Sequence, residues 1–390
     1  MAGTDVSERP NCKLILVVDK EKNKVVWAEA GKDFVHVVRS FMALPMGTIV
    51  RLLEKYEPNQ KSQIGCYNNL YKSVSDLPVD DFMREACKGM LLYPEKQCRQ
   101  LHLNIDDDTE CDEIFDLNID GDKRSVIITE NMKVEFASIA VVLDTLHGLG
   151  YENLDKLENI CVDVGHKEVL SLLLCLFSSE TPLTDVFLNK HSSCGMMTRL
   201  PDMPTLTSMQ GRGEAEPNEV VSLTVFVRKR DMKVMCAESG HEFVDLLCIF
   251  LAVPLESVWE LLTPSSVQLG CLGNFCTSMK SLFSTGDVVS TCMLPLEYSF
   301  QKSLLGDSYE MNNFSDLDYG SYDDGSSDSE EKPHDFSGFV KRLADYMILD
   351  DLTIKAANSY SPTAFLMELD VGFKEIKPHE INISKTQVCH

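Results

Sequence analysis

The chain repeats itself. AEAGKDFVHVVRSFMALP, beginning at Ala28, returns as AESGHEFVDLLCIFLAVP, beginning at Ala237. Within these strings Ala28, Glu29, Gly31, Phe34, Val35, Phe41 and Pro45 recur as Ala237, Glu238, Gly240, Phe243, Val244, Phe250 and Pro254. A duplication of this kind restricts the fold to one supersecondary plan used in tandem, and each residue can be judged by whether its counterpart keeps the same chemistry.

The plan can be read along both copies. KLILVV, DKEKNK and VVWAEA form two β-rich runs around a polar turn, and SLTVFV, RKRDMK and VMCAES repeat them, so each copy opens with a hairpin. Gly31 and Gly240 let the chain turn out of the second strand. Phe34, Val35, Val38, Phe41 and Met42 then fall at helical spacing, as do Phe243, Val244, Leu247, Phe250 and Leu251. Pro45 and Pro254 stop that helix. A second helix carries Ile49, Leu52 and Leu53, matched by Val258, Leu261 and Leu262.

Further on, GCYNNLYKSVSDL at Gly65 meets GCLGNFCTSMKSL at Gly270. SVIITENMKVEF, from Ser125, parallels DYMILDDLTIKA, from Asp345, as strand, acidic turn and strand. ICVDVGHKEV, from Ile160, parallels EINISKTQV, from Glu380. Only copy one continues, through VLSLLLCLF and TPLTDVFL, with Thr181 at the N-cap and Pro182 at the first helical position. Copy two lacks this apolar segment, so one of its faces is expected to be covered by copy one or by a partner.

The fold class expected is therefore α+β: two tandem homologous modules, each with β-hairpins packed by helices. The first module spans 12–190 and the second, shortened at its C-terminus, spans 220–390. The stretch 191–219 reads as a linker; about 30 flexible residues would reach about 30 Å. A low-complexity acidic insert at about 303–336 has the composition of a disordered segment.

Charge and cysteine content exclude some functions. The net charge of -25 opposes a broad nucleic-acid or anionic-membrane surface, which needs Lys and Arg to neutralise phosphates. Most of that charge is local: Asp307 to Asp335 holds ten acids against Lys332, and Asp106 to Asp122 holds nine acids and no base. The fourteen cysteines follow an N-terminus, MAGTDVSERPNC, without an apolar signal region. Reduced thiols in the cytoplasm or nucleus are the expectation, most of them acting as small buried hydrophobes. The longest apolar run, Val169 to Phe177, is too short to span a bilayer.

With both copies laid out, the chain resembles the plant family catalogued as domain of unknown function 674. KVVWAEAGKDFV, LPMGTIVRLLEK, GCYNNLYKSV, ACKGMLLYP and EVLSLLLCLFSSETPLTDVFL carry the resemblance in copy one, and CAESGHEFVDLL and YMILDDLTI carry it more loosely in copy two. The resemblance implies no reaction, ligand or catalytic residue. Members of that family carry a cysteine-rich stretch in the middle of copy one. Here that region holds only Cys111, with Cys98 upstream.

Three groups of residues invite a chemical reading. Glu29 and Glu238 sit at strand-to-helix turns, with Asp33 and Glu242 in the following helical turns. Such carboxylates can activate water or polarise a leaving group, but an acid in the first turn also complements the helix dipole. Asp116, Asn118 and Asp120, with Gly121, match the start of a calcium loop, but Ile127 stands where the loop needs a bidentate Glu. Ser326, Ser327 and Ser329 lie among acids, in the pattern of an acidophilic kinase substrate. No C-x-x-C pair, nucleophile elbow or Walker-type glycine loop is present, so no metal or cofactor is expected.

What recurs between the copies is mainly core and turn chemistry, while polar residues such as Lys32 and Asn68 change to His241 and Gly273. The expectation is a non-enzymatic tandem module that binds protein partners, not nucleic acid or membrane. Two other readings stay open: a hydrolase or transferase with a site built from Glu29, Asp33, Glu238 and Glu242 at the junction of the modules, and a small-ligand binder.

Overall fold

A computed structural model describes residues 12–56, 64–83, 85–93, 125–189, 220–262, 270–283, 338–341, 345–357, 363, 366–367 and 372–384. The linker at 191–219 and the acidic insert at 303–336 lie outside the described residues, as do Asp116, Asn118, Asp120, Ser326, Ser327 and Ser329.

Each copy builds one antiparallel five-stranded sheet. In copy one the strands are β1 (Cys12–Asp19), β2 (Lys24–Ala30), β3 (Val126–Thr129), β4 (Val134–Phe136) and β5 (Leu157–Val164). They lie in the order β4-β3-β2-β1-β5. Copy two uses β6 (Val220–Arg228), β7 (Lys233–Ser239), β8 (Tyr346–Leu349), β9 (Ile354–Ala356) and β10 (Ile376–Ser384) in the order β10-β6-β7-β8-β9. Read from the opposite edge, the second order is the first. Registers agree as well: Glu29 stands between Ile15 and Ile127, and Glu238 between Thr224 and Met347. The mixed helix-and-strand fold and the tandem plan expected from the sequence are what the chain adopts.

The turns recur down to their strained residues. Asn23 (φ 48°) and Met232 (φ 55°) take the left-handed position in the first hairpins, and Met132 (φ 62°) and Leu352 (φ 63°) take it in the second. Methionine and leucine adopt this conformation at some cost, so the backbone path is maintained even where the side chain does not favour it.

The first helix follows in each copy, as α1 (Lys32–Ala43) in copy one and as the segment His241–Ala252 in copy two. Both are amphipathic and end one residue before an extended Leu44 or Val253. The next prolines do not only stop a helix. The Pro45 and Pro254 carbonyls accept from Ile49 and Val258 and so open the next helices, α2 (Met46–Tyr56) and Leu255–Leu262. Phe34 and Phe41 are fully buried, whereas Phe243 and Phe250 are only half-buried. The polar Asp245 is buried instead, accepting from the amides of Phe339 and Val340 at 2.6 and 3.0 Å.

The remaining helices of copy one are α3 (Tyr67–Asp76), α4 (Glu85–Leu92), α5 (Ile139–Gly148), α6 (His166–Ser178) and α7 (Pro182–Phe187). In copy two, α8 (His241–Ala252) and α9 (Leu255–Leu262) are followed by α10 (Leu272–Phe283). Thr181 precedes α7 with Pro182 in its first turn, but the Thr181 side chain makes no capping bond. Among the described residues, no helix is long and apolar enough to cross a membrane.

The chain divides into two compact units, and these do not follow the copies. It leaves the first unit between Asn68 and Asn69, returns between Leu92 and Tyr93, and enters it again between Val253 and Pro254. The first unit therefore holds the sheet of copy one together with α9 and α10 of copy two. The second holds the sheet of copy two with α8, most of α3, and α4 from copy one. Copy one thus contributes to the unit of the shortened copy. The exchange is reciprocal, because α3 and α10 are counterparts in the repeat.

Candidate functional site

The recurring carboxylates occupy matching places. Glu29 is the penultimate residue of β2 and is half-buried, with the Trp27 indole N–H donating to its Oε1 at a long 3.5 Å. Glu238 holds the same register on β7 and is exposed. Asp33 and Glu242 are exposed in the first turns of α1 and α8, where a negative charge favours the helix N-terminus. Glu29 and Asp33 belong to the first compact unit, Glu238 and Glu242 to the second.

A second set of recurring polar residues makes longer-range bonds. In the first unit, Val134 N–H donates to Ser278 Oγ at 3.0 Å, and the Ser278 hydroxyl donates to the Asn274 carbonyl one helical turn back at 2.7 Å. Asn274 Nδ2 donates to the Asn131 carbonyl at 3.1 Å. In the second unit, Ile354 N–H donates to Ser73 Oγ at 2.9 Å, the Ser73 hydroxyl donates to the Asn69 carbonyl at 2.7 Å, and Asn69 Nδ2 donates to the Asp351 carbonyl at 3.0 Å. Each participant is the repeat counterpart of the other: Ser73 and Ser278, Asn69 and Asn274, Val134 and Ile354, Asn131 and Asp351. One helix face thus reads one hairpin turn, twice, and in both units helix and hairpin come from different copies.

Other polar positions are filled by different chemistry in the two copies. Asp19 is buried and accepts from the amides of Glu21 and Lys22 and from the Tyr151 hydroxyl, with Lys22 Nζ 3.5 Å away. The Tyr151 bond, then the amides, hold its carboxyl down at about 2. Its counterpart is Arg228, which pairs with Asp231, the counterpart of Lys22. The same hairpin position carries an ion pair of reversed polarity.

Glu130, on the turn after β3, is buried, with Oε1 accepting from the amide of Thr184 in α7 at 3.1 Å and Oε2 unpartnered. Burial pushes its carboxyl up to about 8. The Thr184 hydroxyl in turn accepts from the Val25 amide at 2.9 Å, so this pair ties α7 to β2. In copy two the counterpart Asp350 instead pairs with Lys233 at 3.0 Å.

None of the described cysteines is joined in a disulfide. Burial pushes Cys236 and Cys276 up to about 12 and Cys271 up to about 11, and raises Cys248 well above the usual range. Such groups remain thiols at neutral pH, which removes them as nucleophiles. Among the described residues no group of three His, Cys, Asp or Glu side chains is placed to hold a metal ion.

One surface stands out. On α5 and the loop beyond it, Ile139 is 81% exposed, Leu143 46%, Leu149 55% and Leu154 61%. Only Leu146 of α5 is buried, against Val17, Trp27 and Ile127 of the sheet, with Val141 and Val142 packed partly beside it. The helix is firmly capped, since the Ser138 side chain accepts from the Val141 amide. A well-formed helix thus shows its apolar side to solvent. The residue pattern does not single out this face, because α5 is apolar almost all round and resembles a buried helix.

The fold and these bonds define a duplicated α+β protein whose compact units are each assembled from both copies. The chain belongs to the family described as Protein of unknown function (DUF674), whose sequence model matches residues 8–116 and 111–386. No curated protein and no solved structure matches the chain.

Proposed function

We propose that this protein is a non-enzymatic tandem module that binds protein partners, in a reducing compartment such as the cytoplasm or nucleus. The observation that carries this reading is the α5 face. Ile139, Leu143, Leu149 and Leu154 are large aliphatic side chains within sixteen residues of one another, on a capped helix and the loop that follows it. Exposed aliphatics that join into one patch mark interaction surfaces, and these four are concentrated on one helix and its following loop. Two further observations agree with it. The recurring Asn and Ser side chains are engaged in holding the fold together, and the buried thiols are too weakly acidic to act as nucleophiles.

The test uses the full-length chain as bait, beside an Ile139→Glu/Leu143→Glu variant whose melting temperature is checked first. Partners captured reproducibly by the parent and lost from the folded variant support the reading. Equal capture by both chains would remove α5 from it. Turnover of any ester, glycoside or phosphate substrate that disappears with Glu29→Gln or Glu238→Gln would replace it with the carboxylate enzyme.

A further inference from the structure

Two helices in this chain carry the same docking code. The α3 face presents Asn69 and Ser73 to a hairpin turn at Asp351 and Ile354, and the α10 face presents Asn274 and Ser278 to a turn at Asn131 and Val134. The two turns match in backbone, with Met132 and Leu352 at φ 62° and 63° and with the same closing bonds, Thr129 N–H to the Lys133 carbonyl and Leu349 N–H to the Thr353 carbonyl. The bonded atoms on the turns are all backbone, so recognition does not depend on which copy supplies them. A hairpin of either copy thus offers one carbonyl and one amide in the spacing that either helix requires.

Neither compact unit is completed by its own copy. The amides of Val134 and Ile354 are buried against serines that lie 144 and 281 residues away. A buried amide without an acceptor is costly, so a unit lacking its exchanged helix is driven to acquire one. Within one chain the other copy provides it. In a second copy of the chain the same helix is present with the same face.

We propose that α3 and α10 are exchangeable docking elements, and that the partner they fit is a second copy of this chain: the protein self-associates by swapping these helices between molecules. A swapped dimer re-forms every contact of the closed chain, so it costs mainly the entropy of association. This inference uses a surface separate from α5 and does not rest on the protein-partner reading. Of the two helices, α3 is the more readily exchanged. A side chain at Gly65, before α3, would meet nothing within 4 Å, whereas the turn before α10 is held by the Cys271 amide donating to the Leu176 carbonyl at 3.1 Å.

The experiment refolds full-length chains carrying two different affinity tags together from urea, over a range of protein concentrations. Size-exclusion chromatography with light scattering then reads mass, and sequential tag capture reads mixing. The expected result is a two-tag dimer whose ratio to monomer rises in proportion to refolding concentration and which persists on dilution in buffer. A second arm mixes a full-length Ser73→Pro chain, defective in α3, with a full-length Leu352→Pro chain, defective in the hairpin that α3 reads. The intact α3 of the second completes the intact hairpin of the first, so the mixture yields soluble two-tag dimer where each chain alone does not. Monomer at every concentration in the first arm would overturn the proposal. So would a two-tag dimer abolished by Ile139→Glu/Leu143→Glu, which would place self-association on α5.

Discussion

Ser278 accepts a hydrogen bond from the amide of Val134 at 3.0 Å, although 144 residues separate them and they belong to different copies of the repeat. The serine is buried, and its own hydroxyl donates to the Asn274 carbonyl at 2.7 Å, with the Phe275 carbonyl 3.1 Å away, which leaves an oxygen lone pair for the amide. Ser278→Ala should therefore lower stability by about 1–3 kcal/mol, the cost of leaving a buried donor unmade. Ser73→Ala should act similarly through Ile354. Urea unfolding checks the size. Hydrogen exchange checks the place, since faster exchange at the Val134 amide should accompany the first variant and at Ile354 the second. A loss below about 0.5 kcal/mol, the range of ordinary surface changes, would show that these bonds do not hold the exchanged helices.

Gly65 and Gly270 are repeat counterparts at φ 53° and 46°. Alanine at either position meets the backbone penalty of the left-handed region, about 1 kcal/mol. Only Gly270 also meets a wall. A Cβ there would lie 2.8 Å from the Leu176 carbonyl oxygen, and that backbone belongs to α6. Gly270→Ala should thus destabilise clearly more than Gly65→Ala in thermal unfolding. Equal losses would mean that α10 does not approach α6 so closely.

Much of this architecture was legible in the residues, because hairpins, helices and prolines leave periodic and positional marks that recur twice. Asn69 and Ser73 also recur as Asn274 and Ser278 in the aligned strings, but recurrence alone does not say what a side chain touches. Their partners are backbone atoms of distant turns, which have no sequence signature. The reciprocal exchange was hidden for the same reason: α3 has the same pattern whichever hairpin it docks on. Glu130 reads as part of an acidic turn, and what buries it is α7, whose Thr184 lies 54 residues further on. Glu29 and Glu238 stood out because they are kept, yet matched register positions on two sheets give a motif its recurrence without giving it a reaction. Phe243 and Phe250 kept their helical spacing but are less buried than Phe34 and Phe41, while α8 buries the polar Asp245 on the 339–340 amides, a use that spacing does not reveal.

Glu130 should make stability fall as pH rises. Its folded carboxyl titrates at about 8, raised first by burial, with the Thr184 amide and Lys24 opposing and Asp185 adding to the shift. Unfolded, it titrates at about 4.3. The folded state therefore binds more protons in between. The stability it contributes when protonated is whole below about pH 4.3 and is lost as pH climbs through about 8. Glu130→Gln keeps the shape without the titration. Urea midpoints at pH 5, 7 and 9 should drop more steeply for the parent than for the variant. Parallel slopes would place the Glu130 carboxyl in solvent.

Asp19 should act in the opposite direction. The Tyr151 hydroxyl donates to its Oδ2 at 2.6 Å and is the largest cause holding the carboxyl at about 2. An unfolded aspartate titrates at about 3.9, so this group contributes stability above that pH and loses it as pH falls through about 2. Tyr151→Phe removes the phenolic proton and leaves the ring in place. Carboxyl NMR of the variant should show the Asp19 titration moving up toward the ordinary aspartate value. The stability difference between parent and variant should be present at pH 6 and shrink as pH falls below about 3.9. An unmoved Asp19 titration would mean that the Glu21 and Lys22 amides alone set its acidity, and that Tyr151 serves only to pack beside the Lys22 ammonium, 5.0 Å from its ring centre.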